Sequence, residues 1–317
     1  MQEHAQPTVI DLGTDAVERM VRMDLDPQAR VRSVVLLCRP GPNIVLRVHL
    51  EEGGILVCKV RGGEGLDVFE REAYQLSYLA GQPGLSVPKV LAHRRDGAAG
   101  PFTYMLLSCL PGIPWSRFQS HTPRQEKLPQ RQLGDMLGRM HAEMTALQFS
   151  EVLPGPSPRF PSWTRLFAHL WEKRLEEVVC SDRLDALTLD AVEWIHRNLS
   201  SLIEADDGPR LIHGNLSGDS ILLRESDGTW AVSGFLDPAL CYGHCEVDLA
   251  LLDLHCQIDE RFFESYTQHL PVDEGYAIRK YVYMLYFVLD SVRLYGNTHD
   301  ILSAVDCSRA VLQRCGS

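Results

Sequence analysis

The sequence predicts an α+β protein in two parts: a small lobe of strands with one helix, then a larger and mostly helical lobe. Three observations lead there. Short runs rich in Val, Ile and Leu, separated by turn residues, recur up to Cys109. Leu110-Pro111-Gly112 breaks that pattern. Beyond the break, apolar residues recur at spacings of three and four, the period of a helix. The expected division is a small lobe over 1–107, a hinge over 108–113 and a helical lobe over 114–317.

The elements follow in order. Ala16–Met23 carries a short helical pattern in an otherwise polar start. Val34–Cys38 and Ile44–Leu50 read as strands joined by the turn Arg39-Pro40-Gly41-Pro42-Asn43. Ile55–Val60 is the third strand, and Lys59 lies in it. A lysine near the end of an apolar strand must reach water or meet a counter-charge. The next helix offers one. Asp67 is its candidate N-cap with Glu70 three residues on. Phe69, Ala73, Leu76 and Leu79 form its apolar stripe, and Glu72 lies off that stripe. Gly62-Gly63-Glu64-Gly65 reads as a flexible turn, because it lacks the Lys-Ser/Thr ending of a P-loop. Leu85–Leu91, with Pro88, suits an edge strand. Thr103–Cys109 is another strand.

In the helical part, Leu133, Met136, Leu137, Met140, Met144 and Leu147 make one stripe, more in keeping with core than with a ligand box. His141, on the same helix, reads as a packed or solvated histidine. Leu166, Phe167, Leu170 and Trp171 mark a further helix, and Val192, Ile195, Leu199 and Leu202 the next. Tyr281–Leu289 reads as a core helix, too short to span a bilayer.

Composition narrows the function. Of 317 residues, 45% are apolar and 23% charged, ordinary values for a globular protein. A net charge of −11 argues against nucleic acid, whose phosphates require a basic face. It suits a neutral or cationic small substrate, and also a merely soluble acidic surface. Nine cysteines are scattered without a framework, and Met1–Gly13 has no signal-peptide pattern. Free thiols and a cytoplasmic location are the expectation. Cys241, His244, Cys245, His255 and Cys256 cluster in sequence. Cys-x3-Cys without a second pair reads as buried structural thiols rather than zinc ligands.

The most informative stretch is Leu211–Ala250. Arg210–Ile212 is a short strand that leads into the polar loop His213–Ser220. Two strands follow, Ile221–Leu223 and Trp230–Leu236, around a turn at Asp227–Gly228, and Asp237 ends the second. Strand, polar loop, hairpin and terminal aspartate form a platform on which phosphoryl-transfer enzymes hold metal and substrate hydroxyl.

His213, Gly214, Leu216 and Asp237-Pro238-Ala239 match H-G-D-L-x-x-G-N and I/F-D-P-A in kind and spacing. The block resembles the aminoglycoside phosphotransferase and fructosamine kinase superfamily. Tyr242-Gly243-His244-x-Glu246-x-Asp248-Leu249-Ala250 is similar to the fructosamine kinase branch. The resemblance implies a protein-kinase-like fold, ATP with magnesium, and a small-molecule or peptide hydroxyl as acceptor. It implies that Gly41 and Asn43 belong to a loop over the nucleotide phosphates. Lys59, paired with Glu72, would hold those phosphates. The backbone at Ser108, Cys109 and Leu110 would take adenine. Asp237 and Ser220 would hold metal, and Asp248 would brace the loop that starts at His213. Residues 231–270 carry seven acids and one base, which suits an amine substrate or a charged helix surface.

The departures bear on the chemistry. Asn215 stands where the family has its catalytic Asp, Ser220 where it has a metal-binding Asn, and Ser217-Gly218-Asp219 replaces Trp-Ser-Gly. An amide accepts no proton at neutral pH, yet it can orient a hydroxyl. A general base contributes about 10²–10⁴ in rate. Asp219 is the only carboxylate in the loop and a candidate substitute as base or metal ligand. Three readings stand open. One is a phosphotransferase acting on a hydroxyl of a small amine-bearing metabolite or antibiotic. The second is a pseudokinase working through a protein partner. The third is a tailoring enzyme acting on peptide Ser or Thr hydroxyls.

Overall fold

The computed structural model describes residues 12–39, 43–62, 69–82, 84–95, 98, 102–119, 123–204, 207–256 and 258–315. Over these the architecture is mixed α+β. The elements are α1 (Thr14–Asp24), β1 (Val31–Cys38), β2 (Asn43–Leu50), β3 (Ile55–Gly62), α2 (Glu70–Ala80), β4 (Val90–Arg94), β5 (Phe102–Ser108), β6 (Ile113–Pro114), α3 (Pro123–Glu143), β7 (Ser150–Glu151), α4 (Trp163–Ser181), α5 (Ala186–Arg197) and α6 (Leu199–Leu202). There follow β8 (Arg210–Ile212), β9 (Ile221–Ser226), β10 (Thr229–Phe235), β11 (Cys241–Gly243), α7 (Glu246–Cys256), α8 (Glu260–Tyr266), α9 (Tyr276–Leu294) and α10 (Thr298–Cys315). The chain forms two compact units. One runs to Pro111 and includes Gly234–Asp237; the other is Gly112–Ser233 with Pro238–Ser317.

The first unit is an antiparallel sheet in the order β1-β2-β3-β5-β4. Alternation along the strands sends Ile44, Leu46, Val48, Leu56, Cys58 and Val60 to one face, where they are buried. The apolar stripe of α1 covers that face with Val17, Met20 and Val21. The end of α1 is tied back to the sheet by Asp24, which accepts from Arg94 Nε at 2.9 Å and from the Tyr104 hydroxyl. The short helix read from Ala16–Met23 is thus a wall of the core. The edge strand is confirmed in kind but begins at Val90, after Pro88 rather than around it. The α2 helix starts at Glu70 with Phe69 in the cap position and Leu76 and Leu79 buried. The expected cap Asp67 lies outside the described residues.

The second unit is mostly helical. An aromatic stack of Trp163, Phe167 and Trp171 from α4 meets Tyr283 and Tyr286 of α9, with ring centroids 5.1–6.2 Å apart across the two helices. In α3 the predicted stripe holds through Leu133, Leu137 and Met140 and then fails: the helix ends at Glu143 and Leu147 is fully exposed. The reason lies across the chain. Leu211 donates to the Met144 carbonyl at 2.8 Å and Ala146 donates to that of Pro209 at 3.1 Å. Residues 144–146 therefore run extended beside β8, and this pairing overrides the helical period. The β9–β10 hairpin turns through Asp227 and Gly228, both at positive φ (51° and 74°), as a tight hairpin requires.

Helices α3 and α8 touch backbone to backbone at Gly134. A Cβ there would lie inside the van der Waals distance of the Phe262 carbonyl. One turn on, a Cβ at Gly138 would meet the Tyr266 carbonyl at 3.0 Å. Helix propensity alone favours Gly→Ala by about 1 kcal/mol. Gly134→Ala is nevertheless expected to destabilise, because overpacking against a rigid carbonyl costs about 1–3 kcal/mol. The check is the urea midpoint; a midpoint at or above wild type contradicts the close approach.

Candidate functional site

The site residues of the first unit gather around Lys59. In β3 it sits opposite Val45 on one side and Met105 on the other. The alternation that buries Cys58 and Val60 against α1 sends Lys59 to the other face of the sheet. There its ammonium lies 2.5 Å from Glu72 Oε1 and forms a second ion pair with Asp237. The lysine is 9% exposed. Burial works to lower its pKa, but the charges of Asp237 and Glu72 outweigh it and leave it raised. Burial also raises Glu72, against the pull of Lys59. One cation shared by two carboxylates keeps Lys59 charged at any physiological pH and leaves a net negative charge at this point.

Asp237 reaches this position through backbone contacts. Phe235 donates to the Ser86 carbonyl at 2.8 Å. A Cβ at Gly234 would meet Ser86 O and Leu110 Cδ1 at 2.6 Å each, so only glycine lets the strand approach so closely. The strand ends at Phe235, and two residues on Asp237 takes the left-handed conformation at φ 55°. Its side chain is half exposed.

The second unit holds the loop His213–Ser220. The carboxylate of Asp248, fully buried at the start of α7, accepts from His213 N at 2.7 Å and from Gly214 N at 2.8 Å. His141 Nε2 approaches the same carboxylate at 3.2 Å, and its Nδ1 meets the Tyr266 hydroxyl at 2.8 Å. Gly214 has φ 74°, and a Cβ there would run into the Ala239 carbonyl. Ala239 in turn donates to the His213 carbonyl at 2.8 Å. The His-Gly and Asp-Pro-Ala segments are thus locked by backbone geometry, the reason those residues sit where they do.

The remaining candidates are placed as follows. The Ser220 hydroxyl is buried and engaged within its own loop, donating to the Asn215 carbonyl at 2.9 Å and accepting from Ser217 N at 2.7 Å. Asp219 is turned to Ser116, whose hydroxyl donates to it. Asn43 begins β2 opposite Arg61, whereas Gly41 lies outside the described residues. Ser108 is engaged with Lys89 through both amide (2.9 Å) and hydroxyl (2.8 Å). Its N–H is therefore already engaged within the sheet. Cys109 and Leu110 follow it with a local contact from Cys109 Sγ to the Leu110 carbonyl at 3.7 Å.

The seven acids of 231–270 do not make an open wall. Glu246 is buried in a two-bond ion pair with Arg279, both contacts at 2.7 Å. Asp253 meets Lys280 at 2.7 Å, and Asp259 caps α8 through Arg261 N. Sequence reading missed Arg279, Tyr266 and Asp207, because each lies far along the chain from the motif it touches.

A family model described as fructosamine kinase matches residues 41–313. The chain belongs to the fructosamine kinase family. The "Probable ketoamine kinase YniA" of Escherichia coli is 28% identical over 286 residues, covering 85% of this chain and 90% of the relative. A probable ketoamine kinase of Synechocystis sp. is 27% identical over 75% of this chain and 77% of its own. A crystal structure of a Thermobifida fusca protein described as a candidate fructosamine-3-kinase superimposes with TM-score 0.74 at 23% identity, covering 95% of this chain and all of that one. Aminoglycoside phosphotransferase APH(4)-Ia, in complex with AMP-PNP and hygromycin B, gives 0.66 at 14% identity, covering 95% and 100%. The fold is kinase-like. Among the described residues no helix is long and apolar enough to cross a membrane.

Asp248 sets the loop of this fructosamine kinase family member, and that has a measurable consequence. Asp248→Asn keeps the shape but turns an NH₂ toward one of two buried amide donors. A buried bond to a charged acceptor contributes about 1.5–3 kcal/mol, so a loss of that size is expected. It is read as a lower urea midpoint with an unchanged slope. An unaltered midpoint would mean that the loop holds itself.

Proposed function

We propose that this protein is an ATP-dependent phosphotransferase acting on a hydroxyl of a small amine-bearing metabolite, a ketoamine in the first instance. The observation that carries the reading is Lys59, held charged between Glu72 and Asp237. The cluster carries one negative charge in excess, which a magnesium ion arriving with the nucleotide would offset at Asp237, leaving the ammonium free to turn to the phosphates. The family match and the nucleotide complex of APH(4)-Ia support ATP. The backbone of Cys109 and Leu110 would take adenine.

Magnesium fits Asp237, a half-exposed carboxylate of the hard oxygen type that this ion prefers. It fits Ser220 poorly, since ligation would take the hydroxyl out of the bonds that close its loop. When bound, the ion would neutralise charge on the phosphates. In this reading Lys59 aligns the phosphates and Asn215 orients the acceptor hydroxyl. Asn215 accepts no proton, so the hydroxyl proton leaves late, which a loose transition state tolerates.

A second reading rests on Asn215 itself. Without a base the protein serves as a pseudokinase that binds nucleotide and acts through a partner. ATP turnover separates the two, measured with ketoamine acceptors on wild type, Asn215→Asp and Asp237→Ala. Asn215→Asp is expected to raise phosphotransfer about 10²-fold, the scale of a restored base. Asp237→Ala is expected to remove magnesium-dependent nucleotide binding, read as loss of the thermal shift given by MgATP. Silence of both wild type and Asn215→Asp, with nucleotide still bound, would leave the pseudokinase reading standing.

A further inference from the structure

Beneath the loop of the second unit, three ligand-type side chains converge that the phosphotransfer reading does not use. Asp207, His244 and Cys245 present their donor atoms within 4.8 Å of one another. His244 Nε2 lies 3.4 Å from Asp207 Oδ1, and Cys245 Sγ lies 3.5 Å from Asp207 Oδ2. A nitrogen–oxygen separation of 3.4 Å is long for a hydrogen bond, which prefers about 2.7–3.2 Å. Each separation, one to either oxygen of the carboxylate, is close to the edge of a tetrahedron. With bonds of about 2.0–2.3 Å to nitrogen, oxygen and sulfur, those edges are ~3.3–3.8 Å.

The surroundings are those of a built site. His244 and Cys245 are each 3% exposed, while Asp207 is a third exposed and gives a route in from solvent. The other ring nitrogen of His244, Nδ1, is held by the Tyr283 hydroxyl at 2.8 Å, and that hydroxyl accepts from Trp163 Nε1 at 3.0 Å. Glu246 Oε2 stands 3.8 Å from the same nitrogen. Such outer contacts orient a ligating imidazole and fix which nitrogen faces the ion. Among the described residues Asp207 also lies 3.6 Å from Arg210 Nε.

We propose that Asp207, His244 and Cys245 form a site for a zinc-class divalent cation, with water as the fourth ligand, that braces the loop starting at His213. Imidazole, thiolate and carboxylate together select such an ion over magnesium, which prefers oxygen alone. Binding converts the Cys245 thiol to thiolate and releases its proton to solvent. The link to the loop is direct. His244 and Cys245 lie just before Asp248 in the same segment, and Asp248 meets His141, itself held by Tyr266, and holds His213 and Gly214. The inference is independent of whether the loop transfers phosphate.

The test uses the full chain stripped with chelator and then loaded with cobalt or zinc. Cobalt is expected to give a thiolate-to-metal charge-transfer band in the near ultraviolet, saturating at one equivalent, and zinc to raise the melting temperature. Magnesium should give neither. Asp207→Ala, at a partly exposed position where the fold survives, should weaken zinc binding at least tenfold. Cys245→Ser should abolish the band. No band and no thermal shift in wild type would overturn the proposal. So would a band that survives Cys245→Ser, which would assign it to the exposed Cys38, Cys180 or Cys315. Should Cys245→Ser fail to fold, unchanged zinc affinity in Asp207→Ala overturns it alone.

Discussion

One buried carboxylate organises the second unit. Asp248 takes both amide hydrogens at the start of the loop, from His213 and Gly214, and meets His141 on its other side. A carboxylate with no solvent exposure must be satisfied by such donors, since leaving it unpaired would cost several kcal/mol. The donors it uses are backbone groups, so the need to satisfy the charge becomes a constraint on the path of the loop. Gly214 completes the constraint, because only a residue without Cβ can pass the Ala239 carbonyl in the left-handed conformation.

The first unit solves a comparable problem with the signs reversed. A strand with one face in the core carries Lys59 on its other face, where the lysine is itself buried. Two carboxylates from separate segments, Glu72 on α2 and Asp237 after β10, answer its charge. The arrangement holds three charged groups in register without a ligand. It carries one negative charge in excess, which an incoming cation can offset. The same logic recurs at Glu246 and Arg279, where a buried acid meets a two-pronged cation. The acidic composition of this region is therefore largely internal pairing rather than an exposed field.

What could be read from the chain alone follows from local physics. Runs rich in Val, Ile and Leu located β2 to within a residue and β3 to within two, because one face had to be apolar. The hairpin around Asp227–Gly228 was legible because its turn needs two positive φ angles. The motifs His213-Gly214 and Asp237-Pro238-Ala239 were legible by family resemblance, and the structure supplies the steric reason at Gly214, where a Cβ would meet the Ala239 carbonyl. The stripe beyond Met140 was misread for a non-local reason. Hydrogen bonds to Pro209 and Leu211 pull residues 144–146 out of the helix, and no window of sequence contains both partners.

By itself, then, the sequence determined the α+β class, the strands, the loop motif and the substitution of Asn215 for aspartate. The class and the strands are written in neighbouring residues through period and turn chemistry, whereas the loop motif and Asn215 are read against the family they resemble. Beyond the Lys59–Glu72 pair that the family resemblance implied, the tertiary structure decided which charges meet. It grouped Gly234–Asp237 with the sheet unit through Ser86, turned Asp219 to Ser116, closed the Ser220 hydroxyl into its own loop and set Asp207 beside His244 and Cys245. The physical reason is range. Periodicity acts over a few residues, whereas a charge or ligand partner is chosen by whatever the folded chain brings within about 4 Å.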